Sequence, residues 1–180
     1  VITEWNIGHL KEFADYFKKF PLKQIGFMHT NFTPDFIVSN HNKIYGDKYP
    51  ATISNTEQIE ISKMNLKILL DEVTEIKKSN YSFKVTFSPE IKTEIELDVF
   101  YNQPEKLIGK ICNDFYCNIM IKSDGSVIPA HGRCYNLNIG NIYNNSLKKI
   151  WNSKVVSEFR KDLMNAGGLF PACSRCCSAF

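Results

Sequence analysis

Apolar residues recur at helical spacing, then run together, then return to helical spacing over the first eighty residues. Ile7, Leu10, Phe13, Ala14 and Phe17 share one face of a helix predicted over Ile7–Phe20. Asn6 stands at the cap position and Pro21 ends the pattern. "QIGFMHTNF", from Gln24 to Phe32, reads as a short buried strand with polar residues at its exit. "VITEW" before the helix reads as the end of an earlier strand. Strand, helix and strand with tight joints make a βαβ unit and hence a parallel sheet. Thr33–Ile53, rich in Asn, Asp, Pro and Gly, predicts a long loop, of a kind usually functional or mobile.

Ser54 and Glu57 have capping-box spacing and predict a long helix to about Lys78, with Ile61, Met64, Ile68, Leu69 and Val73 near one face. "YSFKVTF" alternates, so Tyr81, Phe83, Val85 and Phe87 share one face of a strand that Pro89 ends. "EIKTEIELDVFYN" fits a helix through Ile91, Ile95 and Val99 and a strand through Ile95, Leu97 and Val99; helix is the preferred reading. Gln103–Lys110 predicts one more short helix with Pro104 at its first position.

The pattern changes near Cys112, and a boundary between two modules falls at about 103–112. "NIMIKSDGSVIPA" predicts a hairpin with a type I′ turn at Asp124–Gly125. Ser146 and Ser153 are predicted helix caps, the second opening an amphipathic helix over Lys154–Asn165 that Gly167–Gly168 closes. Ile142, Ile150 and Trp151 are the expected apolar anchors of this second module.

Composition narrows the classes. At 180 residues the chain buries a core without covalent staples, and a net charge of +3 gives no basis for nucleic-acid binding. No apolar run approaches membrane-spanning length, and no signal peptide is visible, so a cytoplasmic protein is expected. The chain begins at Val1 in mid-pattern, which suggests a piece of a longer protein.

All six cysteines lie from Cys112 onward: Cys112, Cys117, Cys134, Cys173, Cys176 and Cys177. Such clustering points to a metal site, since four thiolates hold zinc or an iron–sulfur cluster. A hairpin brings its flanks together, with Cys112 and Cys117 before it and Cys134 after it; Cys173 and Cys176 then add a Cys-x-x-Cys turn. The residues alone do not separate zinc from iron–sulfur. The competing readings are a non-enzymatic structural zinc-binding interaction module and a disulfide-linked domain. Outside the cysteines, His29 and Asn31 stand at a strand exit, where parallel α/β folds place ligands. His9 and His41 read as ordinary surface and loop residues, and Arg133 beside Cys134 as a possible hydrogen-bond donor to the site or a surface residue.

The stretch from Cys112 to Cys177, with "SDGSVIP", "IGNI", "SLKKIWNS", Phe159–Arg160 and the closing Cys-x-x-Cys, resembles the auxiliary-cluster module of radical S-adenosylmethionine (radical SAM) enzymes, called SPASM or, in its shorter form, twitch. More loosely, Val1–Phe87 is similar to the last strands and helices of their partial (β/α)6 barrel. The implied fold is α/β: residues 1–103 the C-terminal part of that barrel, and 104–180 a small cysteine-rich α+β module with a β-hairpin. The implied cofactor is an auxiliary 4Fe-4S cluster held by Cys112, Cys134, Cys173 and Cys176, with Cys117 and Cys177 as alternates. His29 and Asn31 would then face substrate or cofactor.

Two departures stand out. Where the family usually has a cysteine five residues after the turn glycine, this chain has Ala130, and Cys134 is the nearest thiol, so Cys112 or Cys117 can pair with it; His131 is a less favoured nitrogen ligand. The Cys-x-x-x-Cys-x-x-Cys of the catalytic cluster is absent from these 180 residues. The resemblance therefore implies a fragment of an oxidoreductase or maturase, inactive alone. S-adenosylmethionine and a second 4Fe-4S cluster belong to the whole enzyme. Its substrate, peptide or small molecule, is not specified by the sequence, and an open barrel edge invites self-association.

Overall fold

The computed structural model describes residues 1–57, 59–130 and 137–180. The fold is mixed α/β with two small sheets among the described residues. The chain divides into two compact units, one of Val1–Phe32 and Asn55–Pro104, the other of Thr33–Ser54 and Glu105–Phe180.

In the first unit, β1 (Gln24–Met28) pairs in parallel with β2 (Lys84–Ser88). Ile2 adds a parallel bridge to His29 on the other side of β1, its N–H donating to the Met28 carbonyl at 2.7 Å. Ile25, Phe27 and Phe87 are buried, and the last two rings stack at 5.2 Å. On the opposite face Gln24, Gly26, Met28, Lys84 and Ser88 are exposed. The βαβ unit expected from the sequence is present, with α1 (Leu10–Tyr16) between Ile2 and β1.

That helix is shorter than its apolar spacing predicts. The Asn6 side-chain oxygen accepts the Thr3 N–H at 2.9 Å instead of capping a helix. Gly8 follows with φ +94°, a left-handed value that breaks the helical path. The start of α1 is capped from elsewhere in the chain. Glu72 is buried and accepts the N–H groups of Gly8 at 2.6 Å, Leu10 at 2.9 Å and Lys11 at 3.4 Å. Its carboxylate thus meets orphan donors and the positive end of the helix.

Glu72 lies on α3 (Leu66–Lys78), buried alongside Leu69, Val73 and Ile76. The helix predicted from Ser54 begins only here, capped by Asn65, which accepts the Ile68 N–H at 3.1 Å. Ser54 instead pairs its backbone with Thr33, and Asn55 is left-handed at φ +59°, so neither opens a helix. Ile68, expected on the buried face, is 43% exposed. The ambiguous stretch is helical: α4 (Glu94–Asn102) carries a full capping box at Thr93 and Glu96. Gln103–Lys110 forms turns rather than the expected helix.

In the second unit, the region read as a loop contains α2 (Asp35–Tyr45). Ile37, Val38 and His41 form its buried face, a helical spacing obscured by the polar residues around it. The short helix α5 (Asp114–Cys117) precedes the hairpin of β3 (Ile119–Ile121) and β4 (Ser126–Pro129), and β5 (Gly140–Asn141) pairs on the far side of β4. The turn is not type I′. Gly125 N–H bonds the Lys122 carbonyl at 2.9 Å, and of Asp124 and Gly125 only Gly125 is left-handed, at φ +75°. A Cβ at Gly125 would also strike the Tyr143 ring.

Ser146 and Ser153 cap α6 (Leu147–Trp151) and α7 (Lys154–Asn165) as expected, and Gly167 and Gly168 close α7 by bonding the Met164 and Leu163 carbonyls. Of the expected anchors Ile150 is buried, Trp151 half-buried and Ile142 at the surface. The core is Phe115, Val127, Ile139, Val156, Phe159, Leu163, Leu169 and Phe170 around Tyr49 and Cys112.

Replacing Glu72 by Ala should destabilise the chain by about 2 kcal/mol, the scale of losing charge-assisted bonds to buried donors. Glu72→Gln, which keeps one acceptor oxygen, should recover part of that loss. Urea denaturation of the three proteins measures it, and an unchanged midpoint for Glu72→Ala would remove the capping role.

Candidate metal centre

Cys112 is 9% exposed and sits at the rim of the second unit's core. Its N–H donates to the Gly168 carbonyl at 3.1 Å, fixing it to the end of α7. The chain then turns into α5, and the backbone N–H groups of Asp114 and Phe115 point at the Cys112 sulfur. Burial pushes the Cys112 thiol up, these two donors oppose it, and the nearby Cys176 adds to the rise. Cys112 and Cys176 therefore lie within electrostatic reach of each other.

The C-terminal cysteines are held by a tight local turn. Pro171–Cys173 makes one 3-10 turn, Cys176 N–H bonds the Cys173 carbonyl at 3.0 Å, and Cys177–Ala179 makes a second 3-10 turn. Cys176 is buried, while Cys173 and Cys177 are half-buried. The loop is strapped to the segment leading into Cys112. Lys110 N–H donates to the Ala179 carbonyl at 2.5 Å, the Ser178 hydroxyl donates to Asp114 at 2.5 Å, and Arg175 donates to the Lys106 carbonyl at 3.0 Å.

The core supports this arrangement. Phe115 stacks on Phe159 at 4.0 Å, and Arg160 lies 4.3 Å from the Trp151 ring centre while its guanidinium donates to the Phe115 carbonyl. From α2, His41 is 3% exposed, bonds the Tyr49 carbonyl through Nε2 at 2.6 Å and accepts the Ala172 N–H at 3.4 Å on Nδ1. A histidine read as an ordinary loop residue thus anchors the chain next to Cys173. The missed signal was its place on the Ile37–Val38 face of an unrecognised helix.

Of the predicted ligands, then, Cys112, Cys173 and Cys176 lie on two strapped segments, with Cys176 in electrostatic reach of Cys112. Cys117 is exposed at the end of α5, its thiol donating to the Asn113 carbonyl at 3.2 Å. Cys134, His131 and Arg133 lie outside the described residues. Among the described residues no group of three or more His, Cys, Asp or Glu is gathered closely enough to hold a metal ion. Ala130, at the position of the absent family cysteine, is buried with φ +49°. Cys112, Cys173 and Cys176 are soft donors, buried or half-buried, and two backbone N–H groups are aimed at the Cys112 sulfur, which is the chemistry a thiolate-bound group would use.

In the first unit, His29 shares the helix-packed face of Ile25 and Phe27. It is 2% exposed, with Nδ1 2.7 Å from the Tyr101 hydroxyl and its ring beside Phe100. Asn31 is half-buried at the strand exit, where its carbonyl accepts from Asn55 at 2.6 Å. His9 is exposed beside Glu12.

Residues 112–177 match the family model of SPASM, an iron-sulfur cluster-binding domain. The chain carries a SPASM domain over that stretch, as its cysteines and hairpin led us to expect. No curated protein and no solved structure gives a significant match. No described helix is long and apolar enough to cross a membrane.

Burial pushes the His29 pKa down to about 4, with Lys77 adding to the effect. The unfolded chain takes up this proton near the ordinary value of 6.5, the folded chain only near 4. Stability is therefore full above about pH 6.5 and is lost as pH falls towards 4, by roughly 3 kcal/mol from this group. His41, also lowered by burial, acts in the same direction. Chemical denaturation at pH 7 and pH 4.5 should show the loss, and His29→Gln should flatten it; an equal pH slope in the variant would assign the loss to other groups.

Proposed function

We propose that this chain serves as the C-terminal part of a radical SAM oxidoreductase or maturase, contributing barrel wall and an auxiliary 4Fe-4S cluster site. The observation that carries this reading is the SPASM match over residues 112–177, within which Cys112 and Cys176 lie in electrostatic reach of each other. The parallel βαβ unit of residues 1–28 agrees with a barrel wall. The proposed ligands are Cys112, Cys173 and Cys176, with Cys134 as the fourth. A bound cluster supplies one-electron transfer. The chain's own part is to present thiolates, steady the Cys112 sulfur with the Asp114 and Phe115 N–H groups, and limit water. Cleavage of S-adenosylmethionine belongs to a Cys-x-x-x-Cys-x-x-Cys motif that these 180 residues lack, so the chain alone is proposed to be inactive. The proposed substrate is a peptide or small molecule.

The test is iron, zinc and acid-labile sulfide per chain after anaerobic purification, with the visible spectrum. About four irons and four sulfides, with a broad visible band that bleaches on reduction, are expected. One zinc and no sulfide would sink the cluster reading in favour of a structural zinc site.

Single-cysteine variants test the ligand set. Cys112→Ala and Cys176→Ala should lose most of the bound iron, whereas Cys117→Ala should retain it. Equal retention by the Cys112 and Cys117 variants would refute the assignment.

A further inference from the structure

In the first unit, α1 carries two apolar stripes. Leu10 and Ala14 form the buried one. The other faces out: Phe13 is 50% exposed, Tyr16 56%, and Phe20, just past the 3-10 turn Phe17–Lys19, 39%. These rings are contiguous. Phe13 lies against Phe17 at 4.9 Å, and Tyr16 against Phe17 at 5.3 Å and Phe20 at 5.7 Å. Beside them runs a groove of about 580 Å³, lined by His9, Glu12, Phe13, Tyr16, Gly26 and Phe27 among others. It adjoins β1, whose side away from β2 carries, among the described residues, only the Ile2–His29 bridge. A contiguous exposed apolar patch marks a place where something docks.

The charges on this stripe indicate what fits it. His9, Glu12 with Phe13, Tyr16, and Lys19 with Phe20 recur every three to four residues, so they share one face. Glu12 and Lys19, about two turns apart, lie on the same edge of that face, the acid near its start and the lysine near its end. Glu12 is exposed beside His9, and Lys19 lies 4.1 Å from the Tyr16 ring centre and 5.5 Å from that of Phe20. The other charges of this segment sit on a different face, where Asp15 pairs with Lys11 at 2.6 Å and Lys18 at 2.8 Å. A stripe with rings at its centre, a carboxylate at one end and an ammonium at the other is complementary to itself reversed. Two copies laid antiparallel across a two-fold axis near Asp15 and Tyr16 bring Glu12 of each opposite Lys19 of the other, with rings against rings.

We propose that this face of the first unit binds a second copy of the chain about a two-fold axis, with α1 packed antiparallel on α1. The self-association expected from the sequence thereby gains a definite surface, and the proposal does not rest on the cluster reading. Three partly exposed rings make a small patch, so the dimer is weak and its population follows concentration.

The experiment is sedimentation equilibrium of the full chain, kept anaerobic with a thiol reductant so that cysteine cross-links do not count, from low micromolar to near-millimolar concentration. The wild-type mass should rise from that of one chain towards that of two. Glu12→Lys and Lys19→Glu each set like charges opposite at two places in the dimer, and each should weaken it about tenfold. The double variant Glu12→Lys/Lys19→Glu restores opposite charges and should return to within about twofold of wild type. Tyr16→Ser, which removes the central ring, should also weaken the dimer; circular dichroism checks that each variant is folded, and if Tyr16→Ser is not, the charge reversals decide alone. A wild-type chain that stays monomeric overturns the proposal and leaves the face to another segment or partner. A dimer that the single reversals leave intact, or that the double reversal fails to restore, forms through another surface and overturns it as well.

Discussion

Two stretches of backbone far apart in sequence carry the cysteine site. Glu105–Asp114 and the segment from Gly168 to the closing residues are joined by the Lys110–Ala179, Cys112–Gly168, Ser178–Asp114 and Arg175–Lys106 hydrogen bonds. Without this strap Cys112 would sit at the edge of one core and Cys176 on a loop of short 3-10 turns with no helix or strand to hold it. With it, the segment carrying Cys112 and the segment carrying Cys176 are held side by side. The aromatic packing of Phe115, Phe159 and Phe170 lies underneath, so the geometry of the thiols is tied to that of the core.

The electrostatics of Cys112 follow from the same placement. Burial and a neighbouring thiol favour the protonated form, whereas two backbone N–H groups favour the thiolate. A positively charged metal group shifts that balance towards the thiolate. Without a cation beside it, Cys112 therefore favours its neutral thiol form.

Sequence reading succeeded where one local interaction decides the outcome. Ser146, Ser153 and Thr93 cap helices by bonding an N–H three residues ahead, and that spacing is visible in the sequence. It failed where a distant partner decides. Asn6 looks like a cap until Thr3 takes its oxygen, and Glu72 looks like an ordinary helix charge until it meets the start of α1. The α2 helix was hidden because its buried stripe is narrow and includes a histidine. The presence of a SPASM domain over residues 112–177 was legible from cysteine spacing and the hairpin. The strap and the buried Arg175 were not, because an arginine between two cysteines reads like any surface charge until its surroundings are known.

The Thr33–Ser54 excursion has a further meaning. Its two ends are pinned to each other by reciprocal backbone bonds at 3.0 and 3.2 Å. Within the second unit it supplies Tyr45, Tyr49 and His41, which pack on Phe159 and Phe170. The stretch recognised as an iron–sulfur domain by sequence is thus smaller than the body that folds. A polypeptide cut to residues 105–180 would keep the five described cysteines and lose one wall of the hydrophobic interior behind them.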